Sequence, residues 1–133
     1  MAPSGDVPCG AGADTARMHI VHHAHLSCDQ HGGTRQLVAA DHHQGIGQFQ
    51  VWVVTLEPGA ATGEQRHTGE LVAIALQGSG KLLVDGGPQR FQAPCTLVIP
   101  RDAVFHVVNN GNATLELVTV FTRQPTPLDE AAP

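Results

Sequence analysis

The sequence predicts an all-β domain, a sandwich or barrel of short strands, on three observations. Glycine and proline are abundant (15 and 9 of 133 residues) and charged residues make up only 14%, which suits strands and turns better than long helices. β-Branched runs recur along the chain with turn residues between them. No stretch carries apolar residues at helical spacing. With 41% hydrophobic residues, the chain is long enough for a single enclosed core.

Nine strands are expected, in order. Residues 18–26 open with Met18, Ile20 and Val21, and residues 35–40 carry Leu37 and Val38. Residues 47–56 hold Val51, Trp52, Val53 and Val54 and stop at the turn pair Pro58-Gly59. Residues 70–77 end at Gly78-Ser79-Gly80, and residues 81–84 end at Asp85-Gly86-Gly87. An Asp-Gly pair between apolar runs is a hairpin signal. Residues 89–92 form a short strand, residues 95–99 end at Pro100, and residues 104–108 end at Asn109-Asn110-Gly111. Residues 114–122 form the last strand and the most apolar one. The domain is therefore expected over 18–123. Residues 1–17 read as a flexible arm, with Met18 an alternative start, and residues 124–133 as a tail.

Composition narrows the function classes. A net charge of −5 with seven Lys and Arg argues against a nucleic-acid partner, which needs a basic face. No apolar run is long enough to span a bilayer. The first residues lack the basic and apolar regions of a secretory signal, so the cytoplasm is the expected compartment. Cys9, Cys28 and Cys95 are odd in number and widely spaced, which indicates neither a disulfide framework nor a zinc knuckle. Cys28 is expected in a polar loop and Cys95 as a small buried residue.

The chemistry concentrates in two segments. The first runs from Gly59 through Gln65, His67 and Glu70 to Gly78, and resembles the first cupin motif, G(X)5HXH(X)3–4E(X)6G. After 15 intervening residues, Pro94 to Asn110 resembles the second, G(X)5PXG(X)2H(X)3N, with Pro100, His106 and Asn110 matching by type. The resemblance spans roughly residues 47–122. It implies an antiparallel double-stranded β-helix, or jelly-roll barrel, holding a divalent metal. There are departures. Gln65 stands at the first histidine, Glu70 comes one residue early so that strict spacing places Leu71 there, and Pro94 and Ala103 stand for glycines. One extra residue lies between Pro100 and His106. The Gln-x-His pair resembles the zinc-binding pair of phosphomannose isomerases within the same superfamily.

Alternation along a strand lets Gln65 and His67 share a face while Arg66 points away. Gln65, His67, Glu70 and His106 are accordingly the expected ligands of an iron, manganese, nickel or zinc ion. Such a set leaves positions open for substrate or dioxygen, as in a dioxygenase-like site. Trp52, Val54, Leu71, Ala73, Ala75 and Val108 are expected to face the interior, which favours an apolar or aromatic small molecule over a sugar phosphate. His22, His23, His25, His42 and His43 form a second reservoir of donors, and one of His42 or His43 is a candidate for the barrel mouth.

Three functions compete. The resemblance favours a metal-dependent enzyme (an oxygenase, isomerase or lyase). A sensor barrel that binds a small molecule without metal is the alternative, and a storage role resembles only larger, two-domain cupins. No tyrosine is available as an acid or base, and no Ser-His-Asp pattern is present. A homodimer is expected, with residues 18–26 covering a sheet edge.

Overall fold

A computed structural model describes residues 18–122 and the strand Thr126–Pro127. Its strands are β1 (Cys28–His31), β2 (Thr34–Ala40), β3 (Gln50–Leu56), β4 (Gln65–His67), β5 (Leu71–Gln77), β6 (Ser79–Val84), β7 (Gly87–Gln92), β8 (Cys95–Ile99), β9 (Ala103–Val108), β10 (Leu115–Phe121) and β11 (Thr126–Pro127). They form two antiparallel sheets, one ordered β1-β2-β3-β10-β5-β8 and the other β11-β4-β9-β6-β7. The fold is the expected all-β jelly roll.

Period-2 patterning builds the interior. On β5, Leu71, Ala73 and Ala75 are buried while Ile74 and Leu76 are exposed. On β9, Ala103, Phe105 and Val107 are buried and the residues between them are half-buried. These inward sets meet Leu56, Leu97, Leu115, Leu117 and Phe121 in one core.

The turns follow from local chemistry. Asp85 and Gly86 have φ of 50° and 85° and close the hairpin whose last pair is Val84 and Gly87. Two positive φ values in a two-residue loop match the strand twist, and Asp-Gly supplies them. The Asp85 carboxylate also accepts from the Val104 N–H at 3.0 Å, which ties the hairpin to β9. Gly78 has φ 98°, and a Cβ there would lie 2.6 Å from the Thr114 carbonyl oxygen. The motif glycine at this position is therefore required twice, by conformation and by space.

Four expectations need correction. Residues 18–26 form no strand; they hold a 3-10 turn at His23–His25, with Met18 and Ile20 exposed. The edge strand that pairs with β2 is formed instead by Cys28–His31. Cys28 lies at the start of that strand rather than in a loop, and is exposed. Cys95 is half-buried against the core. Within the expected tail, Thr126–Pro127 pairs with β4. The expected arm, with Cys9, lies outside the described residues, as do residues 123–125 and 128–133. No helix among the described residues is long and apolar enough to cross a membrane.

Candidate functional site

β4 and β9 assemble the polar heart of the barrel. Their antiparallel register sets Gln65 opposite Phe105 and His67 opposite Ala103. Gln65 and His67 therefore share the inward face with two apolar neighbours, while Arg66 is exposed. The His67 ring packs edge-on to Phe105, with centroids 6.3 Å apart.

His67 is completely buried, and neither ring nitrogen has a hydrogen-bond partner. Burial pushes its pKa below the usual histidine value, and the Arg101 charge adds to this while Asp102 opposes it. The ring is thus a neutral imidazole at neutral pH, because desolvation disfavours the charged form. A buried polar group without a protein partner is uncommon, and it singles His67 out within the core.

Of the four expected metal ligands, only Gln65 and His67 come together. Glu70 immediately precedes β5, is exposed, and lies 3.5 Å from Arg101 across the surface. His106 lies between the buried Phe105 and Val107, so alternation directs it to the outer face, opposite Leu83 of β6. Val108 shares that outer face, which corrects its expected place in the pocket.

The motif spacing explains the inversion. Counting strictly from Pro100, the glycine position falls on Asp102, the histidine on Phe105 and the asparagine on Asn109. Each fits its place. Asp102 has φ 65°, a left-handed conformation suited to glycine. Phe105 points inward, and Asn109 is fully buried. The Asn109 side-chain amide donates to the carbonyls of Leu56 (2.8 Å) and Ala113 (2.9 Å), and its oxygen accepts from the Gly111 N–H at 3.0 Å. There is no extra residue before His106; the histidine is one position beyond the motif. In the first motif, Leu71 likewise holds the glutamate position and is buried.

Beside this pair lies a cavity of about 170 Å³. Trp52, Val54, Leu71 and Ala73 line it as expected, joined by Leu97, Ile99, Phe105, Val107, Leu117 and Phe121. Gln36, Thr62, Gln65 and Thr119 supply its polar groups, and no charged side chain lines it. Ala75 is buried in the core but does not line the cavity. Sequence reasoning missed Phe105, Phe121, Gln36, Thr62 and Thr119. Strict motif counting would have found Phe105, and alternation from Leu117 would have found Thr119 and Phe121.

Metal binding is common among cupins, and the donors beside His67 test whether an ion fits. Structural zinc takes four protein ligands and catalytic zinc three. Here one imidazole and one amide face inward, and the remaining motif positions carry Leu71 and Phe105. This donor set does not fit a resident ion. Among the described residues, the group of three potential ligands is elsewhere, at Asp41, His42 and His43.

Comparison with known proteins agrees with this architecture. The chain is 30% identical to auxin-binding protein 1 of Arabidopsis thaliana over 103 residues, covering 71% of this chain and 52% of that protein. It thus spans about half the length of that relative. Among solved structures, the Lactobacillus farciminis oxalate decarboxylase formate complex superposes with a TM-score of 0.75 at 21% identity, over 83% of this chain and 36% of that one. The polyketide cyclase RemF from Streptomyces resistomycificus superposes with a TM-score of 0.70 at 20% identity, over 84% and 83% of the two chains. The cupin-domain family model matches residues 52–121. This chain belongs to the cupin family.

Proposed function

We propose that the barrel binds a small, neutral, largely apolar molecule and does so without a metal ion at His67. The cavity lining carries the reading: aromatic and aliphatic walls, four uncharged polar side chains and no charge. An ionised ligand would be desolvated there without a partner, which costs several kcal/mol. Size points the same way, since a dry apolar cavity of about 150 Å³ accepts a benzene-sized guest. A substituted single aromatic ring suits the volume, with Gln65 or Gln36 hydrogen-bonding its polar substituent. The relatives named for binding auxin are in keeping with a binding role.

Trp52 is the only tryptophan and lines the cavity, so its fluorescence reports occupancy. Titration with a panel of neutral monocyclic aromatics should change that signal saturably, and chelator should leave the affinity unchanged. Gln65→Leu should weaken binding of a hydrogen-bonding guest by about tenfold, the worth of one hydrogen bond in a closed site. Loss of binding on chelation, with a stoichiometric ion that disappears in His67→Ala, would overturn this reading.

A metal-dependent enzyme is the second reading, favoured by the unpartnered imidazole of His67 beside Gln65. It requires donors beyond those two, and the same metal analysis decides it. For assembly we propose a homodimer, because the outer face of the larger sheet is apolar and exposed at Ile74, Leu76 and Val98.

A further inference from the structure

The histidines at 42 and 43 stand apart from the barrel interior. Asp41 caps a 3-10 turn spanning His42–Gln44: its carboxylate accepts from the His43 N–H, and its own N–H donates to the Gln44 side chain. Gly45, with φ 89°, ends the turn. This reciprocal capping holds three consecutive donor side chains on one short piece of backbone.

The donors converge. The His43 Nδ1 lies 3.1 Å and 3.3 Å from the two Asp41 carboxylate oxygens, and the His42 Nδ1 lies 3.9 Å from one of them. The two imidazole rings face each other with centroids 4.0 Å apart. All three ligand atoms lie within 4.8 Å of one another. Ligands at about 2.0–2.1 Å from a tetrahedral zinc ion are about 3.3 Å apart, so small side-chain rotations suffice to close on an ion. The Asp41 side chain is only 13% exposed while both imidazoles are open to solvent. The carboxylate is thus sheltered and the two imidazoles are accessible.

We propose that Asp41, His42 and His43 form a divalent-cation site of zinc-binding character at the mouth of the barrel. Two imidazoles and a carboxylate are the borderline donor set that zinc, cobalt and nickel prefer over magnesium or calcium. Three protein ligands leave a position open, and two of them, Asp41 and His43, line a groove together with His25 and Asp29. Trp52 and Gln36 line both this groove and the interior cavity, which places the cation beside the way in. Binding exchanges the His43–Asp41 ring contact for two bonds to the ion, while the backbone hydrogen bond to Asp41 remains.

The test uses the full chain without an affinity tag, titrated with zinc by calorimetry and with cobalt by visible absorption. One ion per chain is expected, with tetrahedral cobalt bands and a raised melting temperature. His42→Ala, His43→Ala and Asp41→Asn should each weaken binding by about tenfold or more, the scale of losing a ligand or its support. Asp41→Asn keeps a good N-cap, so its melting temperature without metal should stay close to that of the parent. That separates ligation from capping. His67→Gln and the double substitution His22→Ala, His23→Ala should leave zinc binding unchanged. The proposal is overturned if zinc binds with the same affinity after His42→Ala or His43→Ala, if no ion binds at micromolar concentration, or if the His22/His23 substitutions abolish the signal.

Discussion

Asn109 and His67 are the buried polar side chains of the described core, and they are treated oppositely by their surroundings. Asn109 has all its main hydrogen-bonding groups engaged, two carbonyls and one N–H, and so locks the β9–β10 turn to the end of β3. Asn109→Ala removes three bonds, one buried and two part-buried, and strands their partners, so a loss of about 2–4 kcal/mol is expected in urea unfolding. A loss below 1 kcal/mol, on the same scale, would mean water replaces the amide. His67 has no such partners, and burial lowers its pKa. The unfolded chain therefore binds more protons than the folded one once the pH drops below the free histidine value of about 6.5. Its contribution to stability is complete above that pH and declines as the pH falls toward the depressed folded value. Unfolding at several pH values from 7.5 downward should show this decline, and His67→Gln should flatten it. An identical pH profile in the variant would remove His67 as its source.

At the scale of elements, two glycines with similar φ make opposite demands. Gly86, at φ 85°, has open space around a prospective Cβ, whereas Gly78, at φ 98°, has the Thr114 carbonyl oxygen at 2.6 Å. Gly86→Ala should cost about 1 kcal/mol through conformation alone. Gly78→Ala must also push β10 away from the end of β5, and should cost about 2–4 kcal/mol, in the range of core overpacking and backbone strain. Comparing the two variants by thermal and urea unfolding isolates the steric part. Equal losses would show that the β5–β6 corner yields easily. Gly78 is also the glycine that ends the first motif.

For the whole molecule, the larger sheet presents an outer row of valines: Val51 beside Val120, Val120 beside Val72, and Val72 beside Val98. Val98 is 69% exposed. Four strands at about 4.8 Å spacing, with two outward positions on β8 and three on each of the others, define a patch of a few hundred Å² in which Thr55, Thr96 and Glu116 are the polar members, the size at which exposed apolar surface signals association. A stable dimer buries about 800 Å² on each partner, so neighbouring apolar residues such as Met18 and Ile20, both exposed, are expected to join it. Light scattering should report a dimer for the parent chain and a monomer for Val98→Lys with an unchanged circular dichroism spectrum. A monomeric parent at working concentration sinks this expectation.

Much of this was legible in residue order. Alternation and turn pairs were enough to predict β2, β3 and β5 to β10 and the jelly-roll class, and to put Gln65 and His67 on one face, although β4 itself was not among the expected strands, because period-2 patterning and positive φ are local properties. Three things required the folded chain. β1 and β11 are short edge strands without apolar alternation, and they exist because a neighbouring strand offers unpaired backbone groups. The face of His106 turned on one residue of register: a histidine one position beyond the motif lands outside the barrel, and Phe105 takes its place within. Whether His67 found partners was likewise decided by which residues faced it across β9. Ala103 lies opposite it and the Phe105 ring packs edge-on against it, and neither can accept or donate a hydrogen bond through its side chain. Local sequence specifies which way a strand alternates, but only pairing across the sheets decides which of its two faces becomes the interior.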